Sequence, residues 1–99
     1  NIIMVKLIKI VKSKKAAKKY DAHFKLDNGK EKVVSFGQSG ASDYTIHGDD
    51  ERKERYLRRH RARENWNNFL TAGSLSRFLL WNRKTLKASI ADYKRRFKL

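Results

Sequence analysis

The sequence predicts an α+β fold, with an N-terminal three-stranded antiparallel sheet followed by three helices around a single core. Three observations predict it. The first 37 residues alternate apolar with polar side chains and break at an Asn-Gly pair, the pattern of a β-meander. Residues 49–64 run from acids to arginines, the order that a helix dipole favours. Residues 74–97 are a short apolar run and then a stretch with apolar side chains at helical spacing, which reads as a helical pair.

Ninety-nine residues suit one domain with a thin core. With 39% hydrophobic and 11% aromatic residues the chain has enough apolar surface to fold. Val5 to Val11 is rich in β-branched residues and reads as the first strand, although lysines three apart at Lys6 and Lys9 also allow a helical turn. Ser13 to Lys19 is a polar connection. Tyr20, Ala22, Phe24 and Leu26 share one face of the second strand. Asp27-Asn28-Gly29 is a turn, with Asn-Gly suited to positive φ, and Lys32 to Phe36 completes the hairpin. Gly37 to Ala41, with two glycines, opens a loop that extends over 38–48.

Over 49–64 the next element is an arginine-rich helix. Asp49 or Asp50 can cap it. Asp50, Glu51 and Glu54 fall in its first turns, and Arg58, Arg59, Arg61 and Arg63 in its last. Glu51 with Arg55, and Glu54 with Arg58, are i,i+4 pairs in the better orientation. Arg52, Arg55, Arg59 and Arg63 follow at spacings of 3, 4 and 4 and form one stripe. Trp66 to Gly73 breaks the helical pattern. Ser74 to Trp81 is a short helix apolar on most sides, with Asn82 placed to end it in a left-handed conformation. Thr85 caps the last helix, whose stripe is Leu86, Ile90, Tyr93 and Phe97. The expected core is Phe24, Val34, Phe36, Leu75, Leu79, Leu86, Ile90 and Phe97.

The net charge of +15 points to an acidic partner: nucleic acid, anionic lipid headgroups or acidic protein faces. Residues 1–48 hold ten lysines and no arginine, while residues 49–99 hold ten arginines and five lysines. Lysine is a mobile, hydrated point charge, whereas arginine makes planar, bidentate contacts. A diffuse basic region is therefore expected first and a geometrically defined one second. The residues expected to bind are Arg52, Arg55, Arg59 and Arg63, with Lys14, Lys15, Lys18 and Lys19 in support. Trp66, with Phe69, is the aromatic candidate for an exposed anchor.

Cysteine is absent, which excludes disulfides and thiolate metal sites. The apolar run Ile2 to Val11 is broken by lysines and too short to span a bilayer. No small-residue cleavage site follows it, so a signal peptide is not expected. The first residue is Asn, so the natural start is expected to be trimmed or to lie upstream. Asp43, His47, Asp49, Asp50, Glu51 and Glu54 bring acids and a histidine together as a metal-dependent nuclease would, but their spacing matches no metal or nuclease motif, and capping accounts for them more simply. His23, His47 and His60 are scattered over separate elements, and no nucleophile-elbow pattern is present. The expectation is therefore a non-enzymatic protein with no catalytic residues, no metal, no cofactor and no small-molecule substrate.

Four motifs carry a resemblance. They are FG-x-x-G-x-S-DYT-x-H from Phe36, D-x-ERK-x-RY-x-x-RH leading to His60, TAG-x-LSR-x-LLWN from Thr71 and S-x-x-DY-x-x-RF ending at Phe97. Together, over about Lys19 to Phe97, the chain resembles a small basic protein family encoded by large nucleocytoplasmic double-stranded DNA viruses of algae and protists. The resemblance implies a viral protein, of a size and basicity that suit one packaged in the virion, and it carries over no catalytic residue. The leading expectation is a minor capsid-type structural protein on the interior side of the capsid, present in the host cell during assembly. It would bind acidic surfaces of capsid proteins, with possible peripheral contact with anionic membrane. The alternative is a protein that binds and condenses double-stranded DNA. On either reading, charge reversal at Arg59 and Arg63 is expected to abolish partner binding without unfolding the domain.

Overall fold

A computed structural model describes residues 5–99. The part of the apolar run from Ile2 to Met4 lies outside the described residues. Strands β1 (Lys6–Lys12), β2 (Lys18–Lys25) and β3 (Glu31–Gln38) form an antiparallel sheet in the order β1-β2-β3, as the alternation predicts. Leu7 pairs with Phe24, Ile10 and Val34 flank Ala22, and Tyr20 pairs with Phe36, all on the face that meets the core. The register shifts between Leu7 and Lys9, leaving Ile8 half-exposed. This bulge explains why β1 also fits a helical spacing. Leu7 and Ile10 are three apart, and the extra residue lets both face inward from a strand.

On the opposite face the buried Asp21 accepts hydrogen bonds from Ser35 Oγ at 2.6 Å, Ser13 Oγ at 2.7 Å and the Lys14 N–H at 3.3 Å. The Ser35 bond, then the Ser13 bond, hold its carboxyl below the usual carboxylate range. This residue ties the β1–β2 connection to the sheet. β3 continues through Gly37 to Gln38, past the expected start of the loop. A Cβ on Gly37 would lie 2.9 Å from Leu80 Cδ1 and the backbone φ there is +79°. Only glycine lets the strand come this close to the C-terminal helices.

The region expected as a loop contains one helical turn, α1 (Tyr44–His47), capped by Asp43, which accepts from the Thr45 N–H. A left-handed Gly48 ends it, and the chain turns directly into α2 (Asp50–Arg61). The C-terminal part begins with α3 (Ala72–Leu75), which runs into a π-helical turn at Ser76–Leu80. There the Trp81 N–H donates to Ser76 O at 3.1 Å. The wider turn buries three consecutive residues, Phe78, Leu79 and Leu80. Asn82 does not take the left-handed role expected of it. The segment ends at Trp81, and Asn82 is buried, donating from Nδ2 to Asp92 Oδ2 at 2.7 Å. That bond, aided by Arg95, Arg96 and Arg83, holds the Asp92 carboxyl below its ordinary range.

The last helix, α4 (Leu86–Phe97), is capped by Thr85, which accepts from the Ala88 N–H. Phe24, Phe36, Leu75, Leu79 and Tyr93 are fully buried between sheet and helices. Val34, Leu86, Ile90 and Phe97 pack at the margin of this core. The Tyr93 hydroxyl donates to Phe69 O at 2.6 Å, so the largest core side chain has a partner for its one polar group.

Candidate functional site: an arginine cleft on α2

Helix α2 has little apolar surface, and Tyr56 and Leu57 are its buried residues. Tyr56 carries most of the attachment. Its ring stacks on His60 at 4.1 Å and on Trp81 at 4.3 Å, the latter pair nearly parallel at 4°. Trp81 also meets His47, with centroids 5.3 Å apart, and His47 meets Tyr44 edge-on. This aromatic column joins α1 and α2 to the end of the π-helical turn. Burial pushes the Tyr56 hydroxyl well above its usual range. Lys53 adds a second tie. Its Nζ donates to Asn82 O at 2.7 Å and lies 4.8 Å from the Tyr44 ring centroid, while desolvation lowers its pKa.

Because Tyr56 faces inward, its neighbours on the helix surface stand at the edge of the buried face. Arg52, Arg55 and Arg59 line a cleft of about 390 Å³ together with Ala41, Ser42 and Trp81. No carboxylate lines it. The acids of α2 lie on the other flank, where Asp50, Glu51 and Glu54 share a surface with Arg55 and Arg58. Arg55 reaches Glu51 at 4.0 Å, an exposed pair that contributes little.

The fourth member of the expected stripe is not part of this arrangement. The helix ends at Arg61, not at residue 64, and the Ala62 and Arg63 N–H groups both turn back to His60 O. Arg63 therefore sits in the turn beyond the helix. Glu64 anchors this turn. Its carboxylate accepts from Trp66 Nε1 at 2.8 Å and lies 3.4 Å from His60 Nδ1, and Gly73 packs so close that a Cβ there would be 2.9 Å from Glu64 Oε1. The Trp66 and Gly73 contacts hold the chain folded back here, whereas the His60 contact is an i,i+4 pair.

Trp66 is likewise not a free anchor. It is half-buried against the core, its indole N–H is satisfied by Glu64, and the Arg77 guanidinium carbon lies 5.4 Å from its ring centroid. Phe69 packs on Phe24 and Phe97. Among the lysines, Lys14, Lys15 and Lys18 are exposed around the β1–β2 connection. Lys19 is engaged, forming an ion pair with Asp43 in which the two side chains are 14% and 3% exposed. The sequence grouped it with mobile cations, but it neutralises the buried cap of α1.

The acid-and-histidine cluster resolves into caps and ties. Asp43 caps α1. Asp49 caps α2, accepting from the Glu51 and Arg52 N–H groups. The Arg52 bond is the main cause that keeps its carboxyl below the usual range. Asp50 accepts from the Tyr44 hydroxyl. His47 Nδ1 accepts from the Asp49 N–H at 2.9 Å. Among the described residues, no group of three or more His, Asp or Glu side chains is placed to hold a metal ion. Among the same residues, no helix is long and apolar enough to cross a membrane.

Three contributors to the cleft are missing from the expected set, Ala41, Ser42 and Trp81. The only sequence signal for Trp81 was indirect. Tyr56 is a lone large aromatic on a charged helix and needs an apolar partner from elsewhere in the chain.

Residues 8–60 match the family of unknown function DUF5754, just over half of the chain. The chain belongs to the DUF5754 family. The matched region runs from Ile8 in the sheet through α1 and nearly all of α2. It includes Ser42, Arg52, Arg55 and Arg59, and ends before Arg63, Trp66 and Trp81. No curated protein and no solved structure matches the chain.

Proposed function

We propose that this DUF5754 chain is a non-enzymatic basic structural protein of a large DNA virus particle, a minor capsid-type component that adheres to acidic surfaces of its capsid neighbours. One observation carries the adhesive part of the reading: three arginines line a cleft with no carboxylate among them, on a chain of net charge +15. Guanidinium groups held side by side repel one another, and an acidic partner relieves that repulsion. A carboxylate entering the cleft exchanges water for charge-assisted hydrogen bonds, which are about twice as strong as neutral ones. Lys14, Lys15 and Lys18 add a weaker, salt-sensitive attraction that speeds encounter more than it tightens binding. They also suit an anionic membrane face. The viral setting is supported by the four sequence motifs.

The test is to image purified particles and quantify this chain in them. The reading expects density for it on the inner side of the shell, at a copy number that follows the symmetry. Absence from the particle overturns it. A second reading, genome binding, is favoured by the lysines of a second concave surface, a hollow of about 350 Å³ lined by Lys12 and Lys18 and by Lys19 with its partner Asp43; of these, Lys12 and Lys18 are exposed. If DNA is the partner, affinity falls steeply with salt through counterion release. A gel shift at two salt concentrations decides it, and no shift at low salt removes the genome reading.

A further inference from the structure

We propose that the cleft between Arg52, Arg55, Arg59 and Ser42 seats one phosphate monoester carried on a partner protein. This rests on the reading that the α2 arginines are the adhesive surface, and it names the chemical group they receive. The first argument is stoichiometric. The cleft presents three guanidinium groups and an exposed serine on one concave surface. A carboxylate brings one charge and two oxygens, whereas a phosphate monoester near neutral pH brings close to two charges and three strong acceptor oxygens. Arg55 already shares Glu51 at 4.0 Å, so a carboxylate would leave Arg52 or Arg59 without a counter-charge, while a phosphate monoester can neutralise both and still offer an oxygen to Arg55.

The second argument concerns the neighbours. The carboxylates of α2 lie on the opposite flank, so nothing lining the cleft repels a dianion. The nearest buried acid along the chain is Asp43, adjacent to Ser42, and it is already neutralised by Lys19 and by the backbone of α1. The third argument separates a point ligand from a polymer. A row of cations that follows a nucleic-acid backbone must continue, but this row stops after Arg59, because Arg63 lies in the turn beyond the helix. Trp81 lines the cleft, but Tyr56 already stacks on it at 4.3 Å and His47 packs tilted against it. One face of the ring is therefore taken by Tyr56 and the tilted His47 ring crowds it further, which disfavours the open stacking on which single-stranded bases depend.

The test uses the full chain and four probes in about 150 mM salt, where long-range attraction between exposed charges is screened. The probes are a neutral heptapeptide with a central phosphoserine, the same peptide with glutamate there, the same peptide with serine, and a short DNA duplex. Binding is followed through the arginine side-chain N–H resonances. The proposal expects the phosphopeptide to shift Arg52, Arg55 and Arg59, and to bind at least about tenfold more tightly than the glutamate peptide. It expects Arg59→Ala to abolish that preference and Arg58→Ala to leave it. The phosphorus resonance should also show the second phosphate pKa lowered on binding, since the guanidinium groups favour the dianion. Equal affinity for the phosphoserine and glutamate peptides at this cleft overturns the proposal and leaves the adhesive reading standing. Duplex DNA that occupies the same three arginines more tightly than the phosphopeptide overturns it in favour of nucleic acid. If none of the probes reaches the cleft, both the proposal and the adhesive reading fall.

Discussion

On one flank of α2, Arg55 and Arg58 stand among Asp50, Glu51 and Glu54; on the other, Arg52, Arg55 and Arg59 face Ala41, Ser42 and Trp81. The two flanks belong to the same twelve-residue helix and hold the same kind of cation. What separates them is the company each cation keeps. The first flank neutralises itself with its own sequence neighbours one turn away. The second is completed by residues from the β3–α1 loop and the end of the π-helical turn, none of them acidic. Counting charges therefore overstates how many of the arginines are free to bind: tertiary neighbours set Arg52 and Arg59 apart, and Arg55 is shared between the two flanks.

The sharpest way to break this comparison is to detach the helix. Tyr56→Ala removes the ring between His60 and Trp81 and is expected to cost about 3–5 kcal/mol of stability, read by denaturant unfolding. Both flanks would then be lost together. A cost below about 1 kcal/mol would mean that α2 is held by something other than the aromatic column.

Next in size is the difference between the flanks themselves. The double change Arg52→Glu with Arg59→Glu is expected to weaken binding of an acidic peptide about a hundredfold at low salt. That is the effect of losing two contacts to charged groups at about 1.5 kcal/mol each. Arg58→Glu, on the self-neutralised flank, is expected to change it by less than about threefold. Circular dichroism should show all three proteins folded. Arg63→Glu is expected to act like Arg58→Glu, because Arg63 lies outside the cleft.

Smaller effects test the caps that aim the helix. Asp49 has its carboxyl held below the ordinary value of 3.8 by the Arg52 and Glu51 N–H groups. A depressed folded pKa means stability that is fully present above about pH 4 and is lost as pH falls from there toward the folded value. Asp21 and Asp92 act in the same direction. Unfolding midpoints are expected to be level between about pH 5 and 8 and to fall below about pH 4. Asp49→Asn, which still caps, should keep the neutral midpoint and flatten the acid limb. The smallest effect is expected from Glu51→Gln and Glu54→Gln. Neither should move the thermal midpoint measurably, and affinity for an acidic peptide should rise by no more than about threefold.

Most of the fold was legible, because its elements are specified locally. Alternation around Asn28-Gly29 set the hairpin, and Thr85 with the stripe Leu86, Ile90, Tyr93 and Phe97 set α4. Asp49 with the acid-to-arginine gradient set the start of α2. Its end was not legible, because the turn beyond it is held by Glu64 through Trp66 and the close approach of Gly73, contacts that no helical period encodes. The same holds for the one-turn α1, which is too short to carry a period, and for the π-helical turn, whose burial of three successive residues fits neither template. Of the site, Arg52, Arg55 and Arg59 were readable from spacing. Lys19 and Trp66 looked free because their partners, Asp43 and Glu64, are brought to them by tertiary packing or by the turn. Ser42 and Trp81 entered the cleft for the same reason.

The central claim is that three arginines, selected by their neighbours, form the binding surface. A titration of the full chain with a short polyglutamate peptide, followed through the side-chain N–H resonances of the ten arginines, tests it most directly. The account predicts that Arg52, Arg55 and Arg59 shift together along one binding curve while Arg58, Arg61 and Arg63 move little. Uniform small shifts across all ten would contradict it, showing a diffuse cationic surface in place of a site.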